Sequence, residues 1–332
     1  SQGANSVSIG NLAGNDTQGI RSVAIGNNCG RLDQGDTSVA IGDFAGEDAQ
    51  NIRSVAVGYS SGKSSQGLES VAVGRSCGQS NQGTYGVAIG ASAGQLDQGN
   101  NAVAIGYTAG QSSQGTSAVA IGYTAGTTNQ DLRAIAIGDL AGNNTQGRSC
   151  IAIGDAAGRT SQGIDGIAFG SAAGNSGQGT GAISIGVTAG QLDQGDYAVA
   201  MGNQAGLTGQ GVDSVAVGSL AGRNDQGNQS VAVGQNAGKT SQGGNAIAIG
   251  ATAGRDNQGA NSIAIGVLAG ITSQAVNSII LNATGSGLEN TVVSTCVIKP
   301  VRDNTVAAAG FFGVYYNPTT GELVYDSGQA KP

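Results

Sequence analysis

The chain has 332 residues, of which 61 are Gly, 3 are Pro and none is His, and its formal charge is −7. Charged residues are 11% of it, where ordinary domains hold about 25% and roughly 7% Gly. An apolar share of 39% argues against disorder, and the 14 scattered Lys and Arg give no basic stripe for nucleic acid.

No apolar run approaches the roughly 20 residues of a membrane span, and no charged-then-apolar leader opens the chain. A soluble chain without membrane insertion is therefore expected. Its start at Ser1-Gln2-Gly3 falls in the tail of a repeat, which reads as a piece of something longer.

From Asn5 to Val276 a 16-residue unit recurs seventeen times without insertion or deletion. Numbering each unit from column 1 (Asn5, Arg21, Thr37 and onward), columns 2 to 6 read S/A, V/I, A/S, I/V and G. Columns 9, 10 and 14 are mostly Ala, always Gly and always Gln. A short fixed period marks a solenoid in which each unit stacks on its neighbours. Ser22-Val23-Ala24-Ile25 alternates at period two, is β-branched and stops at Gly26, so each unit opens with a short strand. Gly fills columns 6 and 10 throughout, as in Gly10, Gly14, Gly26 and Gly30, which points to positive φ or close backbone approach at two tight bends. The residue before the Gln is Ser, Thr, Asn or Asp in fourteen units, types that satisfy turns through their own side chains. The expected fold is all-β: a parallel β-solenoid over 1–276, about 80 Å long at about 4.8 Å per coil.

Column 14 holds Gln18, Gln34, Gln50, Gln66, Gln82, Gln98, Gln114, Gln130, Gln146, Gln162, Gln178, Gln194, Gln210, Gln226, Gln242, Gln258 and Gln274. Such constancy fits a stacked amide ladder or the capping of turn backbone, both structural. Column 3 is always Val or Ile, and column 5 is too except at Phe169 and Met201. The opposite side of the strand, columns 2, 4 and 6, holds only Ser, Ala, Gly and Cys150. A strand free of long polar side chains on both sides is expected to be buried on both, so the rod should pack sideways against copies of itself. The apolar side is the one expected inside each coil.

Asn5-Ser6-Val7-Ser8-Ile9-Gly10 and Asn261-Ser262-Ile263-Ala264-Ile265-Gly266 resemble the NSVAIG repeats of trimeric autotransporter adhesin heads. The likeness covers the core motif of every unit. It implies left-handed parallel β-rolls, three side by side in a homotrimer, used for attachment to host surfaces. The unit here is longer than the family's and carries a Gln that the family motif lacks.

After Asn277 the pattern fails, and residues 277–332 are expected to form a small C-terminal β cap that also joins chains. Strand-like runs occur at 291–302 and 310–328, the second a hairpin turning at Asn317-Pro318-Thr319-Thr320-Gly321. Its aromatics Phe311, Phe312, Tyr315, Tyr316 and Tyr325 are the expected cap core. The stretch from Ile298-Lys299-Pro300-Val301-Arg302 to the hairpin run 314–325 is similar to C-terminal segments of phage and large-virus fibre proteins, which implies a fibre on a virion.

Chemistry finds little support. The absence of His removes the commonest general base and metal ligand, and neither a cofactor nor a metal is expected. The acidic pairs Asp33/Asp36, Glu47/Asp48 and Asp193/Asp196 read more simply as solvated turns than as a glycosidase pair. Cys29 and Cys77 share column 9 three coils apart, about 14 Å and beyond disulfide reach, so they read as buried fillers. Cys150 is read as a buried free thiol. Tyr59, Tyr107 and Tyr123 in column 7 are candidate glycan contacts. The expected function is a stiff, extracellular, trimeric fibre or shaft on a virion or cell surface, not an enzyme. The alternative is an adhesin head whose side binds a host-surface glycan or protein, with a polysaccharide-cleaving fibre third.

Overall fold

The structure is a computed structural model that describes residues 2–301, 314–317, 319–321 and 323–325. The described chain is an all-β parallel solenoid of about 18 turns of 16 residues, without helix. Each turn contributes a Val/Ile strand such as Val103–Ile105, and most contribute a second strand ending in the Gln, such as Ser112–Gln114. The first kind stack into a parallel sheet of 19 strands, the second into one of 13. Register is strictly one unit: Val103 pairs with Val119, Ala104 with Ala120 and Ile105 with Ile121. No insertion disturbs the count, so every column of the sequence becomes a straight column along the rod.

The corners explain why a coil this short can close. Gly154 in column 6 has φ +128, and a Cβ there would stand 2.7 Å from the Gly170 carbonyl oxygen of the next coil. Gly142 in column 10 has φ +50, and a Cβ would press on the Gln146 side chain. Columns 1, 8 and 13 also turn left-handed although they are rarely Gly, as at Tyr85 (φ 58), Thr124 (φ 51) and Asp193 (φ 53). That conformation costs an L-residue roughly 1–2 kcal/mol. It persists because these residues' amides are bonded to the preceding coil: Tyr85 donates to Leu68, Thr124 to Tyr107 and Ala49 to Leu32, each at 2.8–3.1 Å. The strain is thus offset only in the stack, which ties the stability of each coil to its neighbours.

The inside of the coil corrects the expectation drawn from the alternation. Ala and Ser of columns 2, 4 and 9 face inward and are fully buried, among them Ser22, Ala24, Ala45, Ala102 and Ala104. The Val and Ile of columns 3 and 5 face outward and are half-buried to exposed. The reason lies in the lumen. The Gln carboxamide crosses it from one sheet and donates to the column 3 carbonyl on the other, as Gln146 Nε2 does to Ile135 O at 2.8 Å. Beside a spanning amide there is room for methyl and hydroxymethyl groups and not for branched chains.

The sequence repeat ends at Val276, yet the long sheet continues through Ile279–Asn282 and Cys296–Lys299. In the last full turn Ile280 replaces the usual Ala of column 4 and is fully buried, with Leu288 and Val297 packed beside it. Asn290 stands at the Gln position, donating from Nδ2 to Ile279 O at 3.4 Å. Larger apolar groups therefore plug the open end of the lumen, as a terminal turn must. Val314–Tyr316 and Leu323–Tyr325 form an antiparallel hairpin, whose turn is held by Asn317 Oδ1 accepting from the Thr319 amide at 2.9 Å.

Candidate functional site

The most distinctive surface is the outward face of the long sheet. Columns 3 and 5 present Val, Ile, Phe or Met at every one of the seventeen coils, an apolar strip about 80 Å long without a polar interruption. Ile89, Met201, Ile249 and Ile265 are each about 40% exposed and Phe169 is 53% exposed. Soluble monomers rarely leave so continuous an apolar surface bare, and such patches mark interaction sites. Phe169 and Met201 also fit this geometry: a larger side chain is accommodated where it projects from the rod.

The column 14 glutamines line the lumen and form a ladder. From Gln98 to Gln210 each Nε2 donates to the Oε1 of the next coil at 3.0–3.2 Å. The same nitrogens donate across the lumen to column 3 carbonyls, from Gln18 to Val7 through to Gln274 to Ile263. The ladder breaks where Oε1 of Gln34, Gln66, Gln82, Gln98 or Gln226 is buried without a partner. Their role is internal, and none of them reaches the surface.

Tyr107 and Tyr123 are half exposed and stack on each other, centroids 5.3 Å apart and planes 11° from parallel. Tyr59 lies apart from them, edge-on to Phe44 at 5.9 Å, with Lys63 over the Phe44 ring at 5.4 Å. The structure therefore divides the three tyrosines into a pair and a separate aromatic cluster. In the pair each ring spends one face on the other, which leaves one face per ring for a sugar.

The acidic candidates hold turns and neighbours. Asp36 Oδ1 accepts from the Ile20 amide at 2.7 Å and Asp196 Oδ1 from the Thr180 amide at 2.8 Å, each capping the coil before it. Glu47 pairs with both Arg31 (3.3 Å) and Lys63 (3.5 Å). Asp33, Asp48 and Asp193 are exposed. A shallow polar groove on the glutamine side is lined by Asp97, Asn129, Asp131 and Thr145. Its two carboxylates are also engaged, Asp97 by Asn81 Nδ2 (2.8 Å) and Asp131 by the Leu132 amide (2.6 Å). Among the described residues no three His, Cys, Asp or Glu side chains are grouped to hold a metal.

Cys29, Cys77 and Cys150 are fully buried free thiols, and Cys296 is an exposed one. Burial pushes the thiols of Cys29, Cys77 and Cys150 up to about 11. Of the aromatic cap candidates, Phe311 and Phe312 lie outside the described residues. Tyr315 and Tyr316 belong to one strand of the hairpin and Tyr325 to the other, and Tyr316 is exposed.

Comparison with known proteins found no matching family model, no similar curated protein and no similar solved structure. The resemblance of the repeat to adhesin heads therefore rests on the six-residue strand motif, and that of the C-terminal run to viral fibres on its short stretch.

Proposed function

We infer that this chain is a stiff rod that works side by side with identical copies, as a segment of an extracellular fibre on a virion or cell surface. The observation that carries the reading is the outward Val/Ile strip, repeated at every coil while the lumen is filled by smaller groups. A face of this kind is at home against its own duplicate, because the same register on each rod matches apolar columns over the whole length. The count of three copies comes from the resemblance of the strand motif to trimeric adhesin heads. Constancy of the unit supports a shaft over a receptor-binding head, since functional loops in solenoids enter as insertions and the seventeen units have none.

Solution mass by light scattering tests the reading. A stable mass near three chains is expected. A folded species with the mass of one chain at micromolar concentration would sink it.

The stacked Tyr107/Tyr123 pair favours a second reading, an adhesin whose side binds glycan. Glycan-array binding lost in Tyr107→Ala and Tyr123→Ala would support it, and array binding unchanged in both would remove the pair from consideration.

A further inference from the structure

A second surface, on the edge of the rod formed by columns 7, 8 and 11, carries charge in a pattern the fold does not require. Column 11 side chains reach one another along the rod wherever their chemistry permits. Gln111 donates to Gln95 at 2.9 Å and Gln95 to Gln79 at 2.8 Å, and Asn143 donates to Thr127 at 3.1 Å. Near the N-terminal end the column reads Arg31, Glu47, Lys63, and the carboxylate in the middle bridges both cations. Toward the other end the same column reads Arg223, Lys239, Arg255 on successive coils. Three half-buried basic side chains then leave the backbone in line, from coils about 4.8 Å apart.

The neighbours neutralise this line only at Arg255. Columns 7 and 8 of the same coils hold Ser219, Leu220, Gln235, Asn236, Ala251 and Thr252. Arg255 has one carboxylate, Asp256 at 2.7 Å. Among the described residues neither Arg223 nor Lys239 has an ion pair. Stacked like charges repel, and an outside anion facing them would relieve that repulsion.

We propose that Arg223, Lys239 and Arg255 bind a linear acidic polysaccharide laid along the rod, its carboxylate or sulfate groups supplying from outside the counter-charge that Glu47 supplies in the other triad. The cations are spread along a line and do not converge on a point, so they suit a chain of anions better than a free phosphate or sulfate ion. The edge beside them offers no aromatic platform on which bases could stack. The site is independent of the Val/Ile strip, which lies on other columns.

The test uses the full chain and four probes: heparin, a neutral dextran, inorganic sulfate and a single-stranded DNA oligomer. Heparin is expected to bind, more weakly as salt rises, and the other three are not. Lys239→Glu restores the Arg–Glu–cation order, so it should weaken heparin binding by about tenfold or more while the melting temperature holds or rises. Arg255→Gln should weaken binding without restoring the pair. Glu47→Lys should create a second triad and raise heparin binding. Binding unchanged in Lys239→Glu and Arg255→Gln, or DNA or sulfate bound as well as heparin, overturns the proposal. Trimer mass and heparin binding are separate readouts, so failure of one leaves the other standing.

Discussion

In the unbroken part of the ladder a column 14 glutamine ties its own coil's opposite sheet to the amides of the coils on either side. Gln146 donates to Ile135 O at 2.8 Å and to Gln162 Oε1 at 3.1 Å, and it accepts from Gln130. Gln146→Leu keeps the approximate volume but strands buried partners. It is expected to cost about 1–3 kcal/mol, read as a lowered denaturant midpoint. Thiol chemistry gives a second check. At pH 8 a thiol reagent should modify Cys296 alone in the native chain and all four cysteines after denaturation. The three buried thiols stay protonated to about 11 in the fold. Below the ordinary thiol range both states are protonated and nothing changes with pH. Above it the unfolded chain ionises first, so stability should fall between about pH 9 and 11, and less steeply in a variant with Cys29, Cys77 and Cys150 replaced by Ala. The constancy of the glutamine was legible in the sequence because a repeat compares itself seventeen times. Which side of the strand met it was not, since alternation alone is symmetric. Phe169 and Met201 held the missing signal: a lumen of fixed section does not admit a ring at one coil and a valine at the next.

A single turn is defined by its corners more than by its strands. Two corner columns could be read directly, because only Gly fits them. Column 13 showed itself only through its turn-forming side chains, and columns 1 and 8 not at all: residues as different as Tyr85, Thr124 and Asp193 adopt the left-handed region in these three columns. Local preference is overridden by stacking, and no one-coil argument recovers it. The two kinds of constraint separate experimentally. Gly154→Ala meets both a positive φ and the Gly170 backbone, so a loss of about 3 kcal/mol or more is expected. Gly147→Ala, in column 15 with ordinary φ, meets backbone atoms at 2.9 Å and should cost clearly less. Asn51, Asp131 and Ala275 already occupy that column. Equal losses in the two variants would refute this account of the corners.

For the whole rod, the proposed lateral assembly and the folding of the coils would draw on opposite sides of the same strand. If the rods assemble as proposed, Ile89→Glu together with Phe169→Glu should lower the solution mass to that of one chain while leaving the far-ultraviolet circular dichroism of the solenoid unchanged, because both side chains project outward. Loss of the β signal along with the assembly would mean that a lone rod does not hold its coils. The solenoid class and its length were legible from period and composition. The plugged end was less so, because Ile280, Leu288 and Asn290 take over column roles only after the motif has dissolved.

With a one-unit register along the seventeen coils, adding or removing a whole unit would shift the reach of the molecule by a fixed increment of about 4.8 Å without altering a single corner. Reach is thereby stored as a copy number, adjustable independently of the chemistry of either tip.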